Sequence, residues 1–225
     1  MGPYDKSTGS RHVDANPKAG HSAEEAIPGT LYYAYTDKGR AVEVWVPDSG
    51  QPMEHRYFCH GLTFETFEKF GYTVASGPDV LRVLEDEYTQ IALSGASGQR
   101  FSNACPAEEA KLLSLYLQSA REGSVVAWEN AKAEVVHTAR IGAFGEGARS
   151  PDSTIMMSKN GFVTSKAALM AVICADYAKL VTHFRLWNKS AVTGAVDKGV
   201  ESKGSVSSSS SGKGATPTKS NCVIL

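Results

Sequence analysis

The sequence predicts one α+β domain with a polar segment at each end. In the first half of the chain, apolar residues recur at helical spacing, as in residues 78–91 and 106–122. In the second half, short apolar runs alternate with turn residues, as in residues 124–128 and 134–141. Helices and strands that occupy separate parts of a chain are typical of α+β folds. With 225 residues, 42% of them hydrophobic, the chain is long enough to bury one core.

The predicted domain spans residues 27–188 and follows a leader of residues 1–26. The leader is polar and rich in Gly, Pro, Ser and charged residues, so we expect it to be disordered. The domain begins with an aromatic run at residues 30–35 and an alternating run at residues 42–46, with turn residues between them. This pattern predicts a β-hairpin.

Three helices are predicted between this hairpin and the later strands. The first covers residues 59–70, and Gly71 is predicted to end it. The second begins around Pro78, because proline suits the first turn of a helix. The third begins at Pro106 with two acidic residues in its first turn and ends near Gly123.

The second half of the chain predicts an antiparallel arrangement of short strands with one more helix. The predicted strands are residues 124–128, 134–141, 154–158 and 182–187. A helix at residues 165–180 is predicted before the last strand, from its apolar composition. Residues 189–225 are rich in Ser, Gly and Lys, which is typical of a flexible tail.

Charge and cysteine content narrow the classes of function. A formal net charge of -1 gives no reason to expect a nucleic-acid partner. The four cysteines form no Cys-x-x-Cys pair and the histidines have no ligand-like spacing, so we predict neither a metal nor another cofactor. The first residues lack the pattern of a secretory signal, and no apolar run is long enough to span a bilayer. We therefore expect a reducing, cytoplasmic location.

A candidate thiol site lies at Cys59, where the first predicted helix begins. A helix start and a nearby imidazole both favour the reactive thiolate. His137, on a later predicted strand, is the candidate base. His60 is adjacent in sequence, but neighbouring residues on a helix point about 100° apart, so we expect its ring to face away from the sulfur. The group that orients the histidine is either Asn160 or Ser158, and the sequence leaves this choice open.

Three segments around the candidate site occur in a recognisable order. Cys59 opens a helix, residues 122–128 read Glu-Gly-Ser-Val-Val-Ala-Trp, and residues 136–141 read Val-His-Thr-Ala-Arg-Ile. This order resembles the NlpC-type and CHAP-type branch of the papain-like thiol hydrolases. Members of that branch typically show a cysteine helix, a Gly-Asp-Val-Val-like strand and a strand that opens with His-Val-Ala-Ile.

The resemblance implies both a fold and an activity. The implied fold is a papain-like core, in which the cysteine-bearing helix packs on an antiparallel β-sheet. The implied activity is hydrolysis or transfer of acyl groups at amide or ester bonds of a peptide-like or lipid substrate. Cys59 would be the nucleophile, His137 the base and Asn160 the third catalytic residue.

Two other interpretations of the domain stay open. A papain-like domain that has lost its activity would only bind a partner, while its tail supplies the location. A different small α+β domain would bury Cys59 as an ordinary apolar residue, which is the commonest role of a single cysteine near aromatic residues.

The last four residues, Cys222-Val223-Ile224-Leu225, match the Cys-aliphatic-aliphatic-X signal for prenylation. The terminal leucine favours a geranylgeranyl group, attached to Cys222 by a protein prenyltransferase. Scattered lysines in the tail would add attraction to anionic lipid, because one lipid chain alone anchors weakly. These features predict a protein on the cytoplasmic face of a membrane in a eukaryotic cell.

Overall fold

The computed structural model describes residues 1–9, 11–15, 27–93, 98–147, 149–161, 163–173 and 178–191. The α-helices of the described part of the chain include α1 (Cys59–Thr63), α2 (Thr66–Phe70), α3 (Gly77–Glu87) and α4 (Ala107–Ser119). The strands of the first half are β1 (Arg11–Ala15), β2 (Ile27–Tyr35), β3 (Ala41–Pro47), β4 (Thr73–Val74), β5 (Tyr88–Gln90) and β6 (Phe101–Ser102). The later strands are β7 (Val125–Glu129), β8 (Val135–Phe144), β9 (Thr154–Asn160), β10 (Val163–Ala168) and β11 (His183–Lys189).

Within the described residues, these strands form two antiparallel sheets. The smaller sheet has the order β1-β2-β3-β4, and the larger has the order β10-β9-β8-β7-β11-β5, with β6 also paired to β11. Helix α1 packs on β8 and β9 of the larger sheet, and α3 packs on β8 and β3. Helices combined with antiparallel sheets confirm the predicted α+β class.

The predicted N-terminal hairpin is present as β2 and β3. Its register places Leu31 opposite Trp45, and both side chains are buried. The expectation of a disordered leader is wrong for the part that is described, because β1 pairs with the free edge of β2. Residues 16–26 of that leader lie outside the described residues. A polar segment is ordered here because backbone hydrogen bonds at a sheet edge do not require apolar side chains.

The predicted helix at residues 59–70 is two short helices. Glu65 separates α1 from α2 and has a left-handed backbone conformation, with a φ of 56°. The Glu65 carboxylate forms ion pairs with Lys69, at 2.7 Å, and with Arg140 of β8. Gly71 ends α2 in the left-handed conformation, as predicted. The helix therefore breaks at Glu65, the residue whose carboxylate binds Arg140 of the larger sheet.

Two other predicted elements differ from the structure. The second helix ends at Glu87 rather than at residue 91, because residues 88–90 pair with β11. The helix predicted at residues 165–180 is wrong in its first part, since β10 forms an antiparallel hairpin with β9 in which Ser165 lies opposite Ser158. Gly161, with a φ of 59°, permits the turn between these strands. Residues 174–177 lie outside the described residues.

Both faces of the larger sheet are covered by apolar side chains. On one face, Val126 and Trp128 join a cluster with residues of α4 such as Leu113. On the other, Val125 and Ala127 join a cluster with residues of α3 and the smaller sheet. Consecutive residues of β7 thus face opposite sides, as in a regular strand. In the described part of the chain, no helix is long and apolar enough to cross a bilayer.

Candidate functional site

Helix α1 places Cys59 at its first residue, against the larger sheet. Two contacts with β8 fix the helix and the segment that follows it. Thr138 donates a hydrogen bond to Thr63, with 3.0 Å between their hydroxyl oxygens, and Arg140 forms the ion pair with Glu65. The sulfur is therefore held beside the middle of the sheet, and the Cys59 residue is only 6% exposed.

The imidazole of His60 contacts the sulfur. Its Nδ1 lies 3.6 Å from Sγ of Cys59 and 2.9 Å from the hydroxyl oxygen of Thr138. The expectation that this ring faces away from the sulfur is therefore wrong. The 100° spacing between neighbours describes an isolated helix, whereas here the Thr138 hydroxyl holds the His60 ring on the side of the sulfur.

His137 belongs to a different hydrogen-bonded group. Its Nε2 lies 2.9 Å from the hydroxyl oxygen of Ser158, and its ring centroid lies 5.5 Å from that of Trp128. His137 is fully buried. Because Thr138 points toward α1, the adjacent His137 faces the other side of β8, where Trp128 belongs to the core. The described contacts thus pair Cys59 with His60, and His137 with Ser158.

The two candidates for the third position are now distinguished by their contacts. Ser158 is the residue hydrogen-bonded to His137. Asn160 instead donates from its side-chain amide to the carbonyl oxygen of Val172, at 3.0 Å. Asn160 therefore fastens the end of β9 to the segment after β10, and Ser158 is the group placed to orient the His137 ring.

Burial dominates the ionisation of the thiol. It raises the pKa of Cys59 to about 11, although the backbone amides of Thr138, His60 and Cys59 and the charge of Lys159 act in the opposite direction. A position at a helix start is expected to lower the pKa of a thiol, but here this effect is smaller than the rise that burial causes. Helix α1 has five residues, so few peptide dipoles are aligned behind the sulfur, while desolvation acts on the whole anion.

Burial also keeps both histidines neutral at pH 7. It lowers the pKa of His60 to about 4. It lowers the pKa of His137 to about 3, with a further contribution from the charge of His60. A neutral imidazole has one nitrogen that can accept a proton, as a general base requires. Because Thr138 donates its hydroxyl proton to Thr63, Nδ1 of His60 donates to Thr138 in this arrangement. Nδ1 accepts the thiol proton only after the Thr138 hydroxyl turns to donate to it.

These shifts predict a loss of stability in mild acid. In the unfolded chain both histidines bind a proton near pH 6.5, whereas in the folded chain they do so only near pH 4 and pH 3. The free energy of unfolding should therefore fall as the pH drops below 6.5, by about 2 kcal/mol for each histidine at pH 5. Urea unfolding at pH 7.5, 6.5 and 5 measures this. His60→Gln and His137→Gln should each flatten the slope, and equal stability at all three pH values would contradict the assignment.

Lys159 is a buried residue of the site that the sequence analysis missed. It is 1% exposed, on β9. Its Nζ donates to the carbonyl oxygen of Glu54 at 2.8 Å and lies 4.4 Å from the ring centroid of Tyr57. Burial lowers the pKa of this ammonium to about 8. The available signal was a lysine inside a strand with otherwise apolar or small inward residues, since lysine is rarely buried without partners.

The other predicted or conspicuous features lie elsewhere. Across the described ranges, no group of three His, Cys, Asp or Glu side chains is placed to bind a metal ion. An open cavity of about 450 Å³ has Cys105, Lys111 and Asp152 in its lining, and one of about 270 Å³ has Phe64 and Tyr88. Cys59 lines neither of these two cavities. Cys222 lies outside the described residues.

Comparisons of the chain with models of protein families, with curated proteins and with solved structures find no match. The α+β class and the geometry around Cys59 are therefore the observations on which a function can be proposed.

Proposed function

We propose that this chain is a cysteine-dependent hydrolase or acyltransferase with a papain-like core, acting on amide or ester bonds. The observation that carries the proposal is the 3.6 Å contact between Sγ of Cys59 and Nδ1 of His60 at the first residue of α1. The packing of that helix on an antiparallel sheet supports the papain-like arrangement. A thiol and a neutral imidazole in contact are the minimum needed for nucleophilic acyl transfer.

The reaction needs one proton acceptor, and at its end the thiol and the neutral imidazole are restored. The thiol proton moves to an imidazole nitrogen while Sγ attacks the carbonyl carbon of the substrate. The C–N or C–O bond then breaks, and the imidazolium gives its proton to the departing amine or alcohol. The acyl group remains on Cys59 as a thioester. Water, or an acceptor amine or alcohol in the transfer reaction, attacks the thioester and restores the thiol.

The proton of the Cys59 thiol has to be removed while its sulfur attacks the substrate carbonyl. With a pKa of about 11, only about one Cys59 in ten thousand is a thiolate at pH 7. A resting thiolate therefore contributes little, and the rate depends on the base. His60 is the base in contact with the sulfur, whereas His137 is the base that the family resemblance implies. Substitution of each histidine separates the two assignments.

Turnover of an activated ester tests the proposal. Cys59→Ser should lower the rate of nitrophenol release from p-nitrophenyl acetate by at least about a thousandfold, because the nucleophile is lost. Cys105→Ser is the matched control, since Cys105 lies beside the 450 Å³ cavity and is expected to leave the rate unchanged. Equal rates in the Cys59→Ser variant and the original protein would reject the hydrolase proposal.

A catalytically inactive binding module on the same fold is the second candidate. The burial of Cys59 and its raised pKa favour it, because a thiol kept neutral and covered is typical of a structural cysteine. This candidate predicts no release of nitrophenol above the rate of the Cys59→Ser variant.

In this proposal the tail holds the domain at a membrane surface through prenylated Cys222. The motif at residues 222–225 and the lysines before it support the location. In a cell with a protein prenyltransferase, Cys222→Ser should move most of the full chain from the membrane fraction to the soluble fraction. Leu225→Ser, which favours farnesyl over geranylgeranyl, should keep it on the membrane. Unchanged fractionation of Cys222→Ser would reject the anchor.

A further inference from the structure

We propose that Lys159 is a positioning residue whose ammonium group stabilises the thiolate of Cys59 as it forms. This inference rests on the proposed function and adds a residue to the same site. No step of the acyl transfer changes, since Lys159 keeps its proton throughout.

The strand register places Lys159 on the face of the sheet that carries α1. Arg140 of β8 lies opposite Met157 of β9. Extending that antiparallel register by two residues brings Lys159 opposite Thr138, the residue whose hydroxyl contacts His60. Cross-strand neighbours project from the same face of a sheet. Lys159 and the groups around the sulfur therefore share one side.

Two anchors hold the ammonium beside the chain that enters α1. The carbonyl oxygen of Glu54 accepts a hydrogen bond from Nζ at 2.8 Å, and the ring of Tyr57 lies beneath it at 4.4 Å. Tyr57 is two residues before Cys59. The long side chain is 1% exposed, so it cannot turn its charge out to solvent as lysines usually do. The charge is thus fixed near the thiol at little further entropic cost.

The electrostatic influence is mutual. The charge of Lys159 lowers the pKa of Cys59, and the thiolate raises that of Lys159. The other titratable groups described around this pair are the carboxylate of Glu54, which also raises the pKa of Lys159, and the neutral ring of His60. With a pKa of about 8, about nine in ten Lys159 side chains are charged at pH 7. The ammonium is therefore present under conditions where the thiol has to ionise.

If the role of Lys159 were purely structural, its ammonium would only donate a hydrogen bond to the carbonyl oxygen of Glu54. The two roles predict different effects of substitution. Lys159→Met keeps the length and the apolar stem but removes the charge. Lys159→Arg keeps the charge. A structural role would change the melting temperature in either variant without moving the pH dependence of thiol reactivity.

Alkylation of Cys59 by iodoacetamide between pH 7 and pH 10 provides the test, with the modified peptide measured by mass spectrometry. Lys159→Met should slow the reaction about tenfold at pH 7, which corresponds to a thiol pKa raised by about one unit. The difference should vanish toward pH 10, because there Lys159 of the original protein has also lost its charge. Lys159→Arg should stay within about threefold of the original rate at pH 7. Lys166→Met, which removes an exposed lysine on β10, is the control and should have no effect. A folded Lys159→Met protein that reacts at the original rate at pH 7 would overturn the inference.

A second measurement uses the original sequence, in case Lys159→Met does not fold. Cys59 is alkylated with iodoacetate, which adds a carboxylate, or with iodoacetamide, which adds a neutral amide. The pKa of Lys159 is then measured by NMR after reductive ¹³C-methylation and should be about one unit higher in the carboxymethylated protein. Equal pKa values would overturn the inference. Neither readout needs turnover, so loss of the esterase activity alone rejects the proposed function and leaves the role of Lys159 standing.

Discussion

His60→Gln is expected to slow acylation of Cys59 by about a hundredfold at pH 7.5. Glutamine keeps a polar side chain beside Thr138 but cannot accept the thiol proton as a base, and a positioned general base contributes about a hundredfold or more. The effect should be largest near neutral pH and should shrink as the pH approaches the thiol pKa of about 11, where the thiolate forms without help. The rate of nitrophenol release between pH 6 and pH 10 measures this dependence.

His137→Gln is the matched comparison, because it changes a second buried imidazole in the same way. If His60 is the base, His137→Gln should lower the rate by only a few fold while it destabilises the core beside Trp128. If the base implied by the family resemblance is correct, the order of the two effects is reversed. A hundredfold loss in His137→Gln with an unaffected His60→Gln would assign proton transfer to His137.

Glu129→Ala is expected to lower the free energy of unfolding by about 3 kcal/mol. Glu129 is 1% exposed at the end of β7. Its Oε1 accepts a hydrogen bond from Nε of Arg185 at 2.5 Å, and Arg100 lies 2.9 Å from its Oε2. Without the carboxylate, the partly covered Arg185 charge loses its partner, and this is the costly consequence of breaking a buried ion pair. Because the Arg100 side chain is 41% exposed, water solvates its charge when the carboxylate is removed, and the loss of this ion pair adds little.

Urea unfolding at pH 7.5 measures the effect of Glu129→Ala. Glu134→Ala is the control, since Glu134 is an exposed carboxylate in the turn after β7 and should change the free energy by less than about 0.5 kcal/mol. Equal stability of the Glu129 and Glu134 variants would show that the ion pairs of Glu129 contribute nothing net.

Elements with local signals could be predicted from the sequence. Ser76 accepts a hydrogen bond from the amide of Asp79 and Pro78 lies in the first turn, so the start of α3 was encoded within a few residues. The hairpin of β2 and β3 and the stop at Gly71 were encoded in the same way. Such features depend on backbone preferences and neighbouring side chains, which the sequence displays directly.

The features that sequence analysis missed depend on contacts between distant segments. Residues 163–168 form a strand rather than the start of the predicted helix because β9 offers them a hydrogen-bonding edge. The position of the His60 ring depends on the hydroxyl of Thr138, and the burial of Lys159 depends on Glu54 and Tyr57. At the candidate site, Cys59 could therefore be singled out from sequence, whereas the groups around its sulfur could not.

The role of Cys59 as the nucleophile is tested by the mass of the Cys59 peptide after brief exposure of the protein to p-nitrophenyl acetate at pH 7.5. If Cys59 is the nucleophile, the peptide should carry one added acetyl group that hydroxylamine removes, as it does from a thioester. This group should form slowly in His60→Gln and be absent in Cys59→Ser. An unmodified Cys59 peptide in a folded protein that still releases nitrophenol would contradict the assignment of this thiol as the nucleophile.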